Sequence, residues 1–523
     1  MLRFIIYIIL INILLPIVYP QIFSTSFNDS SSDDINSNSI YEMILFNEQL
    51  WLRTGAGLSF IYYDDNEPQY SSIIDSNLPL GGSPSFFIND SIMVISGSKS
   101  IYENSRYRPM GTGLSWSEDG GDSWSYINQP LDSIPDSGTY TYSDWGNQEG
   151  IRFKSITTPI YNISYDIEVH NNYIYATSFA GGLRRFDYTN DDLKWELLPL
   201  PMDNQDSLIC NQINIDDYEY NPVDPPDGND NHKAFSIFID QNSIIWVGTG
   251  DGVNKGTING DNCIDWVHYN ESDGLGDRWV VGIKKDNLDR LWLISWDPSL
   301  NTPIPHNLSY TDDDGETWNI ISFFKDIEAI VYDLYFDDNN DIYASTNLGL
   351  YKTYNNDTDL WMKFNLEDLN NQPSFTNSVY TSHIYNTHIW SGTPDGLFYS
   401  LDDGISWNLY RSWNYMKDSS NDEERLSAYP NPFYLDEQNQ YNNDGHVRIV
   451  YFHGNSSNSE LDIFDFSMNH IINLNTPTLI GSQGQFIWNG KNQFNQQVLN
   501  GVYFCRLKLD GKIYWTKLMV INS

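Results

Sequence analysis

A short corner motif that returns along the first 400 residues constrains this chain more than any other feature. "WLRTGAGL" begins at residue 51, "YATSFAGGL" at 175, "WVGTGDGV" at 246, "YASTNLGL" at 343 and "WSGTPDGL" at 390. Weaker relatives are "MVISGSKSI" at 93 and "LWLISWDP" at 291. In most copies an aromatic or alanine-containing run meets a corner of small residues, and a glycine with an apolar residue opens the next run. A further strand often precedes the motif across a polar turn, as in "SIFIDQNSIIWVGT" and "LYFDDNNDIYAST". Short apolar runs bounded by Gly, Asn and Asp read as β-hairpins. The copies at 246, 291, 343 and 390 lie 45, 52 and 47 residues apart, which leaves room for about four short strands per unit.

A second repeat sits between these corners. "SEDGGDSW" at 117, "TDDDGETW" at 311 and "SLDDGISW" at 400 share the pattern [ST]-x-D-x-G-x-[ST]-W. Its residues are Ser117, Asp119, Gly121 and Trp124, then Thr311, Asp313, Gly315 and Trp318, then Ser400, Asp402, Gly404 and Trp407. Glycine supplies the positive φ of a tight turn, aspartate accepts hydrogen bonds from the turn's amides, and tryptophan covers it. No copy carries the full D-x-D-x-DG series with a terminal Glu that a Ca²⁺ loop needs, so weak Ca²⁺ binding is only the alternative to a structural turn. Four antiparallel strands per unit of this length predict an all-β chain whose residues 40–412 form a seven-bladed β-propeller. The hairpins are placed between third and fourth strands, with insertions at about 129–163 and 199–232.

Composition agrees. The 523 residues include 36 Tyr and 17 Trp, and 70 acidic against 28 basic residues leave a formal charge of −42. Such a chain lacks the basic footprint of nucleic-acid binding. At the N-terminus, "MLR" followed by "FIIYIILINILLPIV" reads as a secretory signal peptide over residues 1–20, with no further membrane span in the mature chain. Three cysteines are too few for a disulfide framework, and a Cys210–Cys263 bridge is left open. Cys505, within "VYFCRL", reads as a strand residue.

Beyond residue 412 the character of the chain changes. "MKDSSNDEERLS" makes 413–425 a polar linker, and "HVRIVYF", "ELDIFDF" and "GVYFCRLKLDGKIYWTKLMVI" alternate as strands of a small immunoglobulin-like β-sandwich do. "AYPNPF", "FIWNGKN", "NGVYFCRL" and the final "KLMVI" make 426–523 resemble the C-terminal sorting domain of the type IX secretion system. That resemblance implies export across the outer membrane through the secretion machinery, and a secreted or cell-surface location. The units "WVGTGDGVNK" and "YASTNLGLYKT" resemble the repeats of two-component-regulator sensor propellers. The three Asp/Trp hairpins resemble the Asp-box (BNR) repeats of sialidases, xyloglucanase-type glycosidases and sortilin-like propellers, where the box is structural and implies no activity.

No catalytic residue is assigned. The arginines include none in the Arg-Ile-Pro motif of sialidases, and the histidines show no metal spacing; His383 and His388 read as surface or edge residues. A glycosidase would need two carboxylates across a cleft, which 70 acidic residues satisfy too easily to single out a pair. Binding is assigned to the insertions. In "SGTYTYSDWGNQEG", Tyr140, Tyr142 and Trp145 stand beside amide and carboxylate groups, a combination suited to sugar rings. "NPVDPPDGNDNH" brings Asp224, Asp227 and Asp230 together as a solvated loop, with weak Ca²⁺ binding as the alternative. The expected function is therefore a non-catalytic propeller that binds a polysaccharide or a protein, without a cofactor. The alternative is a secreted glycoside hydrolase with its active site in the propeller cleft.

Overall fold

The computed structural model describes residues 34–521 apart from 65–66, 104–105, 133–139, 260–262, 297–306, 355–356, 370–371, 373, 375, 386, 413–425, 436–439, 442–443, 453–457 and 481–482. The signal peptide and linker assigned from sequence lie outside the described residues.

Each of the five copies at 51, 175, 246, 343 and 390 holds the turn between the second and third strands of an antiparallel sheet, whereas "MVISGSKSI" lies within the strand Met93–Glu103. Thr54, Thr249, Thr346 and Thr393 donate their hydroxyls to the carbonyls of Gly57, Gly252, Gly349 and Gly396 at 2.7–3.1 Å. Those glycines take φ of 104–126°, and a Cβ on Gly252 would stand 2.1 Å from the carbonyl oxygen of Tyr269. The motif is thus the minimum chemistry of the corner: a hydroxyl that bridges it and a residue without a side chain at its exit.

Seven such sheets follow one another along the chain. Their first strands are Ile40–Phe46, Phe86–Ile88, Asp166–His170, Ala234–Ile239, Trp279–Lys285, Val331–Phe336 and Thr381–Tyr385, and each pairs with the next strand in sequence. Six sheets have four strands; sheet four gains Ser207–Leu208 as a fifth. Apolar clusters fill the spaces between consecutive sheets. Trp246 and Val253 of sheet four pack with Val280 and Leu293 of sheet five, and Trp292 and Ile294 of sheet five with Leu334 and Ile342 of sheet six. The succession closes, because Leu52 and Ile61 of sheet one share a cluster with Trp390 and Leu397 of sheet seven. Asn38 seals the junction: its side chain exchanges hydrogen bonds with the backbone of Ser412 at 3.0 and 2.7 Å, and its carbonyl accepts from Gly396 N at 2.7 Å. Burying both faces of every sheet in this way removes apolar surface that a single twisted sheet would leave in water.

The two insertions meet. Hairpin Tyr140–Trp145/Gln148–Lys154 is extended by Glu219–Tyr220, which pairs in parallel with its second strand, and the Cys210–Cys263 disulfide ties the second insertion to sheet four. The described residues of 426–521 form a four-stranded and a five-stranded sheet around one core that includes Phe433, Ile449, Tyr451, Ile463, Phe486 and Trp488, with a two-stranded ribbon, Gln440–Tyr441 and Asp444–Gly445, beside them. Cys505 lies on the strand Gly501–Leu509, fully buried, and burial pushes its thiol up to about 12.

The three Asp/Trp hairpins connect third to fourth strands in sheets two, five and seven, and the hydrogen bonds of their aspartate and hydroxyl residues recur in all three. In the first, the Ser117 hydroxyl donates to Asp119 Oδ1 at 2.7 Å and accepts from Gly121 N, while Asp119 accepts from the amide and hydroxyl of Ser123 at 2.9 and 2.5 Å. Asp313 accepts from the same two groups of Thr317, and Asp402 from those of Ser406. Trp124 and Trp407 donate their indole N–H to the carbonyls of Gly121 and Gly404 at 3.1 Å; in the middle copy Trp318 stands edge-on to Trp246. A Cβ on Gly404 would meet Phe364 at 2.3 Å.

The bonds from Ser123 and Ser117 bring the Asp119 carboxyl down to about 2. A folded-state value below the unfolded one of about 4 means a stabilisation fully present above that pH and lost as the pH falls through the folded value. The difference in melting temperature between the wild type and Asp119→Ala is therefore expected to be largest at neutral pH and to shrink between pH 4 and 2. A difference that stays constant across that range would show that the carboxylate is not the operative group.

Candidate functional site

The first strands of sheets one, four, five and six carry a register shift at one recurring place. The bulged residues are Tyr41 in sheet one, Phe235 in sheet four, Val281 in sheet five and Tyr332 in sheet six. Tyr165 and Tyr380 hold the same place in sheets three and seven, where their amides bond to Thr177 and Gly392 at 2.9 and 2.8 Å. A bulge re-aims the extra side chain out of the pleat. The outcome is an aromatic ring at one rim, contributed by sheets one, three, four, six and seven. Tyr41 stacks on Tyr380 with centroids 5.3 Å apart, Tyr332 meets Tyr380 edge-on at 5.2 Å, and Tyr165 lies 5.7 Å from Phe235.

One residue further along, the strands of sheets one, three, four and six place a polar group that helps tie the sheet to the following one. Asp166 of sheet three accepts from Ile237 N of sheet four at 2.9 Å. Ser236 donates to Val280 O, and Asp333 accepts from Thr381 Oγ1 at 2.8 Å. In sheet one, Glu42 pairs with Arg53 at 3.0 Å, and Arg53 continues to the Ser83 and Pro84 carbonyls of the segment leading into sheet two. Lys284 of sheet five reaches Asp333 of sheet six at 3.1 Å.

These charges converge. Burial, followed by the nearby charge of Glu42, drives the Asp166 carboxyl up to about 7 against the hydrogen bonds it receives. Glu168, two residues on and therefore on the same face, is also raised, by burial and then by Asp166. Asp333 holds the Lys284 ammonium charged despite its burial, with Glu42 and Asp166 adding to the effect. Groups from sheets one, three, five and six thus feel one another, as side chains lining a common axis must. Each keeps partial solvent contact. Glu42, Asp166 and Asp333 directly follow the aromatics Tyr41, Tyr165 and Tyr332, and burial makes the Asp166 and Glu168 carboxyls harder to ionise, an arrangement able to stack on a ring and hydrogen-bond its substituents.

The aromatic group assigned to the first insertion is not brought to one surface. Tyr140 and Tyr142 share a face of their strand, with Tyr142 69% exposed and Tyr140 lying under the Arg152 guanidinium at 5.3 Å. Trp145, an odd number of residues away, points the opposite way into the core beside Cys210 and Cys263. The acidic loop is also not the solvated one expected. Asp230 is buried, and Asp224 and Asp230 both hold the ammonium of Lys233, itself 0% exposed, at 2.6 and 2.5 Å. Asp227 instead accepts from Asn221 through its carbonyl at 2.7 Å. His383, expected at the surface or an edge, is buried beneath Tyr335, and burial lowers it to about 4.

The rim residues escaped sequence reasoning, although a signal existed. "IYE", "SYD", "AFS", "VYD" and "VYT" at 40, 164, 234, 331 and 379, each with an aromatic followed by an acid or hydroxyl, open or lead into the first strands. Only the position of the bulge shows that they correspond.

No known protein family matches the chain, and no curated protein does. Among solved structures, the chain is similar to PorZ, an essential surface component of the type IX secretion system of Porphyromonas gingivalis, at 12% identity and a TM-score of 0.43. That match covers 91% of this chain and 64% of PorZ. The β-propeller domain of Cps50 (Swd1) from Myceliophteria thermophila aligns at 10% identity and a TM-score of 0.43, covering 73% of this chain and all of that one. The extracellular domain of BT4673 from B. thetaiotaomicron aligns at 11% identity and a TM-score of 0.24, covering 95% and 87%. No helix among the described residues is long and apolar enough to cross a membrane.

Proposed function

We propose that residues 40–412 are a seven-bladed β-propeller built with Asp-box hairpins, and that 426–523 are an immunoglobulin-like sorting domain addressed to the type IX secretion machinery. The protein acts at the cell surface or as a secreted protein, and it binds a polysaccharide or protein ligand without turning it over. The observation that carries the binding reading is the recurrence of an aromatic at one place in five sheets, at the bulge of the first strand in three and just before that strand in two, beside carboxylates of the same strands. Structural need alone asks for hydrogen bonds between sheets, not for flat rings around the rim.

A second reading has its own support. Asp166 and Glu168 bind protons far more readily than ordinary carboxyls, the property required of the general acid of a glycoside hydrolase. A glycan array followed by product analysis on every glycan retained separates the two. Retention without product, weakened about tenfold or more by Tyr332→Ala through the lost stacking, is the expected result. Cleavage abolished by Glu168→Gln would establish the hydrolase instead. Export is tested separately: a chain ending at 425 is expected to accumulate in the periplasm, and its appearance at the surface would overturn the sorting assignment.

A further inference from the structure

The C-terminal unit meets the ring through a buried ionic contact. Asp395 sits in the corner of sheet seven, within "WSGTPDGL", and both its carboxylate oxygens are used twice. Arg448, from the strand Val447–Phe452 of the C-terminal unit, donates to Oδ1 at 2.6 Å and to Oδ2 at 2.8 Å. Arg411, at the end of sheet seven, donates to Oδ2 at 2.9 Å and to Oδ1 at 3.3 Å. All three side chains are at most 1% exposed. Burial alone would raise the Asp395 carboxyl, but the two guanidiniums hold it well below the ordinary carboxylate range. The same corner in sheet four carries Asp251, whose partner is Arg278 of the neighbouring sheet five at 2.9 Å. The corner aspartate is therefore a place where sheets take an arginine from the next element, and in sheet seven that element is the C-terminal unit.

Opposite Arg448 in the strand register lies Tyr429. Its phenol is close enough to those of Tyr380 and Tyr41 for their charges to interact, next to the stacked pair that those two form at the rim.

We propose that the rim over sheets one, six and seven is a docking surface for this chain's own C-terminal unit, clamped by Arg448 on Asp395, and that Tyr429 becomes the fourth tyrosine of the cluster formed by Tyr41, Tyr332 and Tyr380. The two units then move as one body, and any ligand of the rim meets a wall supplied by the C-terminal unit. The docking itself is independent of what the rim binds; the wall rests on the binding reading above.

A buried bidentate pair is poorly screened by salt, whereas a surface encounter of charged patches is not. Arg448→Ala is the informative change because it leaves Asp395 balanced by Arg411, so the ring retains a neutral pair. Removing Asp395 would leave two buried guanidiniums face to face. The experiment is tyrosine nitration of the full-length protein, mapped residue by residue by mass spectrometry, together with the radius of gyration from X-ray scattering, at low salt and at half-molar salt. In the wild type, the half-buried Tyr429 and Tyr380 are expected to react about tenfold or more slowly than Tyr142, which is 69% exposed, at both salt concentrations, because the contact between the two units covers them. In Arg448→Ala both become reactive and the radius grows, with Tyr142 unchanged. Arg448→Lys, which retains the charge and loses the fork, gives an intermediate rate and serves if the alanine variant does not fold. Tyr429 as reactive as Tyr142 in the wild type would overturn the proposal. So would an unchanged nitration pattern and radius in a folded Arg448 variant.

Discussion

Trp407→Ala is expected to lower the unfolding free energy by about 3–5 kcal/mol in denaturant titration, the range for deleting a large aromatic from a packed core. Trp407 is 1% exposed and packs with Leu350, Ile384 and Phe398, at the contact between sheets six and seven. Its indole N–H closes the hairpin on the Gly404 carbonyl, and its ring stands edge-on to Phe364 at 5.8 Å. Alanine would leave a cavity between two sheets and an unpaired carbonyl in the turn. Leu401→Ala in the same hairpin is the control, because Leu401 is 50% exposed and its removal opens no cavity. Surface changes of that kind stay within about 0.5 kcal/mol. Equal losses for the two substitutions would show that the hairpin tryptophan does not join the sheets.

The second large effect concerns the Cys210–Cys263 bridge. It closes a span of 53 residues with Cα atoms 5.8 Å apart, and its sulfurs lie in the core shared by both insertions and sheets three and four. Closing a loop of that length removes unfolded-state entropy worth about 4 kcal/mol. The double variant Cys210→Ser, Cys263→Ser is expected to lose stability on that scale, and the wild type treated with reductant is expected to fall to the same level. Adding reductant to the double variant should change nothing, since Cys505 is buried alone in the other unit. A double variant as stable as the oxidised wild type would show that the loop is held by packing rather than by the bridge. The bond also requires an oxidising compartment, in keeping with export.

Much of this architecture is legible before any coordinates. The T-x-x-G corners and the Asp/Trp hairpins are local devices, each complete within about eight residues, so their chemistry can be read from spacing alone. Thr393 needs only Gly396, and Asp402 only Ser400 and Ser406. The all-β character and the four-strand unit follow, because a hairpin's register is set by its own turn.

The site is different, since its parts lie in strands dozens to hundreds of residues apart. Alternation along "TYTYSDW" places Tyr142 and Trp145 on opposite faces, but which face is core depends on the second insertion and the disulfide packed against it. An aspartate-rich loop looks solvated until a buried lysine is found in its midst, and whether Lys233 points inward is decided by sheet four. The aromatics of the rim are equivalent only through a bulge, which shifts register by one residue and leaves no mark in composition. Arg448 stands in "HVRIVYF" as an unremarked charge in an apolar run; the tertiary structure alone supplies Asp395, 53 residues earlier, as its partner. What the sequence by itself determined is the repeating unit, because short-range hydrogen bonds build it. What only the tertiary structure decided is which units face one another, because charge and ring pairing across the axis depend on the closure of the whole chain.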